Sequence, residues 1–343
     1  MKCRSRAPLR LGLGGGGTDV SPYSDVYGGA VLNATIDMYA YATVEPLSND
    51  VLEIVSLDRG ASHRFEGNER LDGSPELRLP IGVYEAVVEA FCSGRRVPLR
   101  LTSRSDAPAG SGLGASSALV VAMVGALAEY LRLPLGEYEI AKFAYEVERV
   151  RLKLTGGKQD QYAATFGGFN FMEFSAGDKV IVNPLRIKKD YVNELQYNML
   201  LYYTGTSRIS SEIINQQVSN FEHGKERAVE AMHRLKEQAI AMKEALLQGQ
   251  IDRIGEIFDY GWRYKKDMAD NITNVQIDEI YETALKSGAR GGKITGAGGG
   301  GFLMLYCDGD QKGEVAKALE RFGGKTLPFE FSMVGLESWS VNR

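Results

Sequence analysis

The feature that most constrains this chain is a glycine-spaced loop that runs directly into an apolar helix. Glycines stand at positions 110, 112 and 114, and the apolar run 118–124 follows after two serines. Glycines lack the Cβ that would keep an anion away from backbone N–H groups, and they permit left-handed turns. A helix N-terminus adds unpaired N–H donors and a dipole that favours negative charge. The pattern therefore predicts a phosphate-binding loop.

The loop is not a P-loop of the Walker type. That pattern needs a lysine directly after its last glycine, and Ala115 stands there. The Gly-Lys-Thr sequence at 324–326 also fails, because Leu319 occupies the place of the first glycine. Ser116 and Ser117 can cap the helix or reach a phosphate-bound Mg²⁺, and the sequence leaves both roles open.

A competing interpretation comes from the N-terminal glycines. Residues 12–17 satisfy G-x-G-x-x-G, and Asp37 follows about twenty residues on, as in a dinucleotide-binding unit. Such a unit needs an apolar central strand and then a helix. Arginines alternate with small residues before Gly12, and Pro22 lies where the helix should run. We therefore expect no dinucleotide-binding unit here.

Three segments resemble family signatures in the right order. The loop at 108–118 resembles the second signature of the GHMP kinases, the superfamily of galactokinase, homoserine kinase, mevalonate kinase and phosphomevalonate kinase. The first and third motifs are matched by RAPLRLGLGGGGTD at 6–19 and KITGAGGGGF at 293–302. With GGKQDQYAATFGG at 156–168, these segments are most similar to the D-glycero-D-manno-heptose 7-phosphate kinases, which phosphorylate an anomeric hydroxyl.

The resemblance implies an α+β fold of two domains. Residues 1–195 would form an N-terminal ATP-binding domain of the ribosomal protein S5 domain 2-like type, and residues 196–343 a C-terminal ferredoxin-like α/β domain. A long charged helical stretch from 207 to 250, with little glycine and no proline, marks the change between them. Residue patterns predict strands at 36–44, 51–57, 99–103, 168–174, 302–306 and 329–336. They predict helices at 115–131, 137–153 and 312–322.

The resemblance also implies ATP and Mg²⁺ as cofactors. Glu148 matches the family's magnesium glutamate, and Ser117 at the helix start is the second expected metal ligand. Glu146, two residues away on a helix, would face elsewhere. A surface ion pair is the alternative role for Glu148. The expected ATP-binding residues are Pro108, Gly110, Ser111, Gly112, Leu113, Gly114, Ala115, Ser116 and Ser117.

Three residues are expected to be catalytic. Asp160 lies in a segment that resembles the family's Gly-x-x-Asp-Gln, and it is the candidate to accept the hydroxyl proton or to orient the hydroxyl. Lys158, two residues earlier, can keep that carboxylate ionised or bind a phosphate. Arg10 matches the arginine that faces the reacting hydroxyl.

The resemblance assigns Asp19 to the sugar hydroxyls. Galactokinases carry Glu-His where this chain has Gly16-Gly17, a difference that leaves room for a larger sugar and counts against galactose. A substrate phosphate needs a second cationic site, for which Lys158, Arg104 and Arg208 are candidates. Arg208 follows a small-residue turn that opens a helix. The expected substrate-binding residues are Gly16, Gly17, Thr18, Asp19, Arg104, Arg208, Gly298 and Gly299.

Composition excludes several classes of binding partner. A net charge of -4 argues against bulk nucleic-acid binding. Three cysteines and three histidines, far apart, favour neither a disulfide framework nor a zinc site. No apolar stretch has signal-peptide or bilayer-spanning length, so we expect a cytoplasmic protein without a membrane partner. A small-molecule sugar phosphate is the expected partner, and a homodimer is left open.

The resemblance implies a 1,7-bisphosphate product that feeds nucleotide-activated heptose for surface polysaccharide. Two other functions stay open at this point. One is a fucokinase or another hexose 1-kinase, and the other is a sugar-binding regulatory relative without catalytic activity.

Overall fold

A computed structural model describes residues 1–48, 50–108, 110–205 and 210–341. Within these ranges the chain forms twelve strands and eleven α-helices in the predicted α+β arrangement. The strands are β1 (Lys2–Gly14), β2 (Gly29–Pro46), β3 (Val51–Ser56), β4 (Ala61–Glu66), β5 (Leu99–Ser105), β6 (Phe169–Ser175), β7 (Lys179–Pro184), β8 (Met199–Tyr203), β9 (Ala289–Ile294), β10 (Phe302–Cys307), β11 (Lys325–Leu327) and β12 (Glu337–Val341). The helices are α1 (Tyr23–Tyr27), α2 (Arg78–Phe91), α3 (Ala115–Leu131), α4 (Glu137–Tyr145), α5 (Gln159–Phe166), α6 (Lys189–Asn198), α7 (Ser210–Glu222), α8 (Glu226–Gln248), α9 (Ile254–Asp267), α10 (Val275–Lys286) and α11 (Lys312–Leu319).

The first sheet contains eight strands in the order β12-β1-β2-β5-β3-β4, and β2 also pairs with β6, which pairs with β7. The arginines before Gly12 were expected to rule out a central strand, but residues 2–14 form β1. Arg6 stacks over Tyr39 and binds Glu337 at the surface, while residues 7–14 are buried. Because β1 is antiparallel to both neighbours, the expected absence of a dinucleotide-binding unit is nevertheless confirmed.

The second sheet contains four antiparallel strands in the order β11-β8-β10-β9. Helices α7 to α10 connect β8 to β9, and α11 connects β10 to β11. This βαββαβ connectivity is the ferredoxin-like arrangement that the resemblance implied.

The predicted strand at 329–336 is wrong. This segment is irregular apart from one bridge between Phe331 and Ile36, and the last strand of the described chain is β12. The aromatic rings of Phe329 and Phe331 pack on each other, and Phe331 packs on Phe169. They anchor the chain as it returns to pair β12 with β1. Residues 337–341 therefore lie in the first sheet, although the predicted second domain included them.

Helix α3 is the central buried helix on the first sheet. Its predicted bounds, 115–131, are confirmed, and Val120, Val121 and Met123 have no exposed surface. Burying each such side chain stabilises the fold by about 1.5–3 kcal/mol. Because α3 packs on β1 and β2, its N-terminus holds the glycine loop at a fixed place above the sheet. None of the helices in the described ranges has the length and apolar character that a membrane crossing requires.

Candidate active site

A cavity of about 500 Å³ lies between two groups of elements. One side is formed by the glycine loop, the β1–α1 connection and the start of α5, and the other by α7 and α9, which belong to the helices between β8 and β9. It brings together residues from all three glycine motifs. Its lining includes Arg10, Gly16, Gly17, Asp19, Ser111, Gly112, Gly114, Ser117, Glu148, Gln159, Asp160, Gln217, Lys265, Gly296 and Ala297.

The glycine loop packs backbone to backbone against the C-terminal glycine loop. A Cβ on Gly112 would lie 2.5 Å from the carbonyl oxygen of Thr295, and a Cβ on Gly301 would lie 2.5 Å from that of Ser111. Both glycines have positive φ, 78° and 87°. Gly114 begins the helix with φ 76° and neither serine caps it, so the capping role is excluded. The first-turn N–H groups are therefore left for a ligand.

Some predicted binding residues lie away from the cavity. Gly298 and Gly299 pack against Ile272, whose carbonyl oxygen accepts a hydrogen bond of 2.8 Å from the Gly299 N–H. Gly296 and Ala297 line the cavity in their place. Pro108 is exposed outside the lining, and the Leu113 side chain is buried in the core.

Glu148 is fully buried and accepts hydrogen bonds on both carboxylate oxygens. The Ser116 Oγ donates to Oε1 at 2.8 Å, and the Ser117 Oγ and Gln161 Nε2 each donate to Oε2 at 2.7 Å. Arg149 Nη1 lies 3.1 Å from Oε1 and supplies the opposite charge. The alternative of a surface ion pair is therefore wrong.

A π-helical turn, Glu146–Arg151, presents Glu148 and Arg149 to the cavity. The predicted helix 137–153 is thus observed as α4 followed directly by this turn to Arg151, and Asp160 lies in a new helix, α5. Glu146 faces outward and lies 3.8 Å from Lys142, as its spacing from Glu148 predicted. Such turns are rare and occur often at functional sites.

The donor set around Glu148 fits Mg²⁺. It consists of carboxylate and hydroxyl oxygens at a helix N-terminus, and Mg²⁺ takes few ligands from protein because phosphates and water supply the rest. No group of three or more acidic, cysteine or histidine residues able to hold a metal occurs in the described part of the chain. Glu148 and Ser117 are thus the residues that could hold the ion with a nucleotide.

Asp160 and Arg10 form a second polar pair in the cavity. Arg10 Nε and Nη2 lie 2.8 Å and 2.6 Å from Asp160 Oδ1, and Arg10 Nη1 donates to the Gly112 carbonyl oxygen at 2.6 Å. Arg10 is only 5% exposed. The arginine therefore ties the carboxylate to the glycine loop and offsets its charge.

The structure places Lys158 apart from the Arg10–Asp160 pair. Its Nζ lies 2.7 Å from Asp178 Oδ1 and 3.5 Å from Asp25 Oδ1, and the residue does not line the main cavity. Burial lowers the pKa of Lys158, but the hydrogen bond and charge of Asp178 outweigh it, so the net shift is upward. Lys158 ties α5 to α1 and the β6–β7 turn, and Arg10 is the cation at Asp160.

Replacing Lys158 by methionine should therefore affect stability more than catalysis. We expect a loss of about 2 kcal/mol in unfolding free energy, because the substitution removes the ammonium group that holds the Asp178 and Asp25 carboxylates. We expect kcat to change less than about threefold, since no cation at Asp160 is removed. Urea unfolding and steady-state kinetics check this, with the exposed Lys179→Met as control. A hundredfold fall in kcat at unchanged stability would restore Lys158 to the catalytic group.

Asp19 connects the N-terminal loop to α5. Its carboxylate accepts hydrogen bonds from the Gln159 backbone N–H at 3.1 Å and from Gln159 Nε2 and the Gly17 N–H, both at 3.2 Å. A Cβ on Gly157 would lie 1.9 Å from Asp19 Oδ2, so only glycine fits there. Thr18 is buried outside the cavity lining, and its hydroxyl hydrogen-bonds to the carbonyl oxygens of Gly15 and of Ala30 in β2.

The structure also separates Arg104 from the site. Arg104 stacks 3.9 Å from the ring centroid of Tyr41 and binds Asp106 at 3.0 Å, on the outer face of β5. Its neighbours Ser103 and Ser105 line the cavity, because successive side chains of a strand point to opposite faces. The side chain of Arg104 therefore lies away from the cavity in which the substrate was expected to bind. Arg208 lies outside the described residues.

Sequence reasoning missed several polar residues of the site, above all two buried lysines. Lys265 Nζ donates to the Gly16 carbonyl oxygen at 2.9 Å, and Lys293 Nζ donates to that of Gly12 at 3.0 Å. Burial lowers the pKa of Lys265 to about 8, partly opposed by Asp19. Burial, with Lys265 and Arg10, lowers the pKa of Lys293 to about 7. Lys293 is the first residue of the third motif, so its position in the sequence could have indicated it. Lys265 lies in no motif, and no sequence signal pointed to it.

Comparisons with known proteins agree over most of the chain. The N-terminal domain of the GHMP kinases matches residues 78–168, and their C-terminal domain matches residues 242–325. A D-glycero-alpha-D-manno-heptose 7-phosphate kinase of Campylobacter jejuni is 43% identical over 338 residues, which cover 98% of this chain and 99% of the relative.

Two further relatives are similar to this chain to different degrees. The crystal structure of a D-glycero-D-manno-heptose 1-phosphate kinase from Bacteroides thetaiotaomicron is 41% identical, with a TM-score of 0.85 over 99% of this chain and 100% of that one. A bifunctional fucokinase/GDP-fucose pyrophosphorylase of Arabidopsis thaliana is 26% identical over 97% of this chain but only 32% of its own length. The names of the two heptose kinases differ in where the substrate already carries its phosphate.

Proposed function

The chain belongs to the GHMP kinase family, whose members are ATP-dependent kinases, and on that premise we propose that it phosphorylates the anomeric hydroxyl of D-glycero-D-manno-heptose 7-phosphate. The observation that carries the proposal is one cavity lined by the glycine loop, Asp19 and the Arg10–Asp160 pair. The Campylobacter jejuni relative, similar over nearly its whole length, supplies the choice of sugar.

The transfer requires positioning and charge neutralisation more than covalent chemistry. The sugar oxygen bonds to the γ-phosphorus as the bond to the β-phosphate oxygen breaks, and ADP leaves. Asp160 takes the hydroxyl proton, or orients the hydroxyl until its proton is lost. Arg10 holds Asp160 through Oδ1 and lies where negative charge develops.

Glu148 and Ser117 are the residues we assign to Mg²⁺. When bound, Mg²⁺ neutralises phosphate charge during transfer. The loop from Gly110 to Ser117 offers backbone N–H groups to the nucleotide phosphates, because the first helical turn leaves them unpaired. Asp19 accepts hydrogen bonds from sugar hydroxyls, and Gly16 and Gly17 leave room for the sugar.

Two other functions receive less support. The fucokinase relative is less similar than the heptose kinases, so a hexose 1-kinase is the second choice. A regulatory relative without catalysis would not need Arg10, Asp160 and Glu148 held by hydrogen bonds in a single cavity. Their assembly favours an active enzyme.

The proposal is tested by ADP release with Mg·ATP and a panel of sugars. The panel contains D-glycero-D-manno-heptose with phosphate at C7, with phosphate at C1 and without phosphate, together with L-fucose, galactose and mannose. We expect kcat/KM for the 7-phosphate to exceed every other value by at least about 100-fold. A preference for fucose would favour the hexose 1-kinase. A preference for the 1-phosphate would move the reaction to the other end of the sugar.

A further inference from the structure

Two buried side chains that line the cavity beside Gly16 and Gly17 carry unused hydrogen-bond donors. Lys265, on α9, is 2% exposed, and its ammonium group makes one hydrogen bond, to Gly16, among the described residues. Gln217, on α7, is 1% exposed, and its Nε2 has no partner within the described part of the chain. An ammonium group has three donors and an amide nitrogen has two, so several point to no acceptor.

Gly17 determines how close these groups come to the cavity. Its φ is 104°, and a Cβ there would lie 3.0 Å from Lys265 Nζ and 3.3 Å from Gln217 Oε1. The same Cβ would lie 2.8 Å from Met268 Cε. Any side chain at position 17 would therefore fill the space in front of the lysine and the glutamine.

Asp19 balances the charge of Lys265 only in part and forms no ion pair with it. No carboxylate oxygen of the described residues lies within 4.0 Å of its Nζ, and Asp19 uses its oxygens on Gly17 and Gln159. A second buried cation, Lys293, stands beside it, and burial lowers the pKa of both. A buried cation without a partner is costly, and an anionic ligand removes that cost.

We propose that Lys265 and Gln217 bind the phosphoryl group that the sugar substrate already carries, and that Gly17 keeps this subsite open. The proposal rests on the proposed function. The unused groups are donors, which match the acceptor oxygens of a phosphate. In this proposal, Lys265 and Gln217 take the role that was expected of Lys158 and Arg104. The side chains of those two residues bind Asp178 and Asp106 instead.

The experiment compares Lys265→Met with wild type on two sugars, D-glycero-D-manno-heptose 7-phosphate and the same heptose without phosphate. We expect the variant to lower kcat/KM for the phosphorylated sugar by about 100-fold or more, mainly through KM, because a buried charged hydrogen bond is lost. For the unphosphorylated heptose we expect a change of less than about threefold. Gln217→Leu should lower kcat/KM for the phosphorylated sugar by about 10-fold.

A matched control lies next in sequence. Lys266 is on the same helix, but it lies 3.6 Å from Asp278 and outside the cavity lining. Lys266→Met should therefore leave kcat/KM unchanged for both sugars. Thermal unfolding supplies a readout apart from activity. Without ligand, Lys265→Met should unfold at or above the wild-type temperature, because it removes an unpaired buried cation. The shift that the 7-phosphate produces in wild type should be lost.

Equal losses on both sugars would overturn the inference, since Lys265 would then bind a hydroxyl or serve only the fold. A marked fall in the unfolding temperature without ligand would overturn it in the same way. Failure of the proposed function has a different signature, because wild type itself would then not prefer the 7-phosphate to the unphosphorylated heptose.

Discussion

Asp160→Asn is expected to lower kcat by about 10³-fold, the size typical of losing a group that accepts a proton in the transition state. Asparagine keeps the shape of aspartate and can still accept a hydrogen bond from Arg10, but it cannot take the hydroxyl proton. We therefore expect KM for the sugar to stay within about threefold, because ground-state binding does not use the proton acceptor.

Steady-state kinetics under saturating Mg·ATP measure this effect. Asp106→Asn is a matched control, since Asp106 also pairs with an arginine, Arg104, on the outer face of the sheet. The control should retain wild-type kcat. A loss of less than tenfold in Asp160→Asn would mean that the carboxylate does not accept the hydroxyl proton.

Glu148→Gln is expected to have the second largest effect, through both the metal and the fold. We expect kcat at ordinary Mg²⁺ concentration to fall by about 10²-fold, with partial recovery at high Mg²⁺, because a carboxylate ligand is replaced by a neutral amide. The substitution also leaves Arg149 without its partner and turns an amide NH₂ toward the donors Ser116, Ser117 and Gln161. We expect about 3 kcal/mol less stability from this buried mismatch.

The dependence of rate on Mg²⁺ concentration separates the two contributions. Glu146→Gln is the control, because Glu146 lies two residues away and faces Lys142 outside the cavity lining. Wild-type dependence on Mg²⁺ in Glu148→Gln, with the protein folded, would contradict the assignment of Glu148 to the metal.

Local patterns predicted the parts of the fold and site that depend on local chemistry. The bounds of α3 follow from an apolar run that begins at Gly114, a residue that adopts a left-handed backbone. The glycine loop, Asp19 and Asp160 meet in a single cavity, as their motifs indicated. In these segments, spacing along the chain determines the geometry.

Other features depend on which elements pack together, and sequence spacing does not encode this. Lys158 is two residues from Asp160 in sequence, yet its ammonium group binds Asp178, while Arg10, 150 residues away, binds Asp160. Lys265 lies among other charged residues of an amphipathic helix, and only packing of α9 against the N-terminal loop buries it. The aromatic residues of 329–336 looked like a strand because anchoring contacts and sheet pairing favour the same side chains.

The central claim is that a second phosphoryl group is transferred to the anomeric hydroxyl of a sugar that already carries one. The direct test is ³¹P NMR of D-glycero-D-manno-heptose 7-phosphate incubated with the protein and Mg·ATP. We predict a new phosphoryl resonance coupled to the anomeric proton, in equal amount to the ADP formed, beside the retained 7-phosphate signal. A new phosphoryl group at any other carbon, or inorganic phosphate as the only product formed with ADP, would contradict the account.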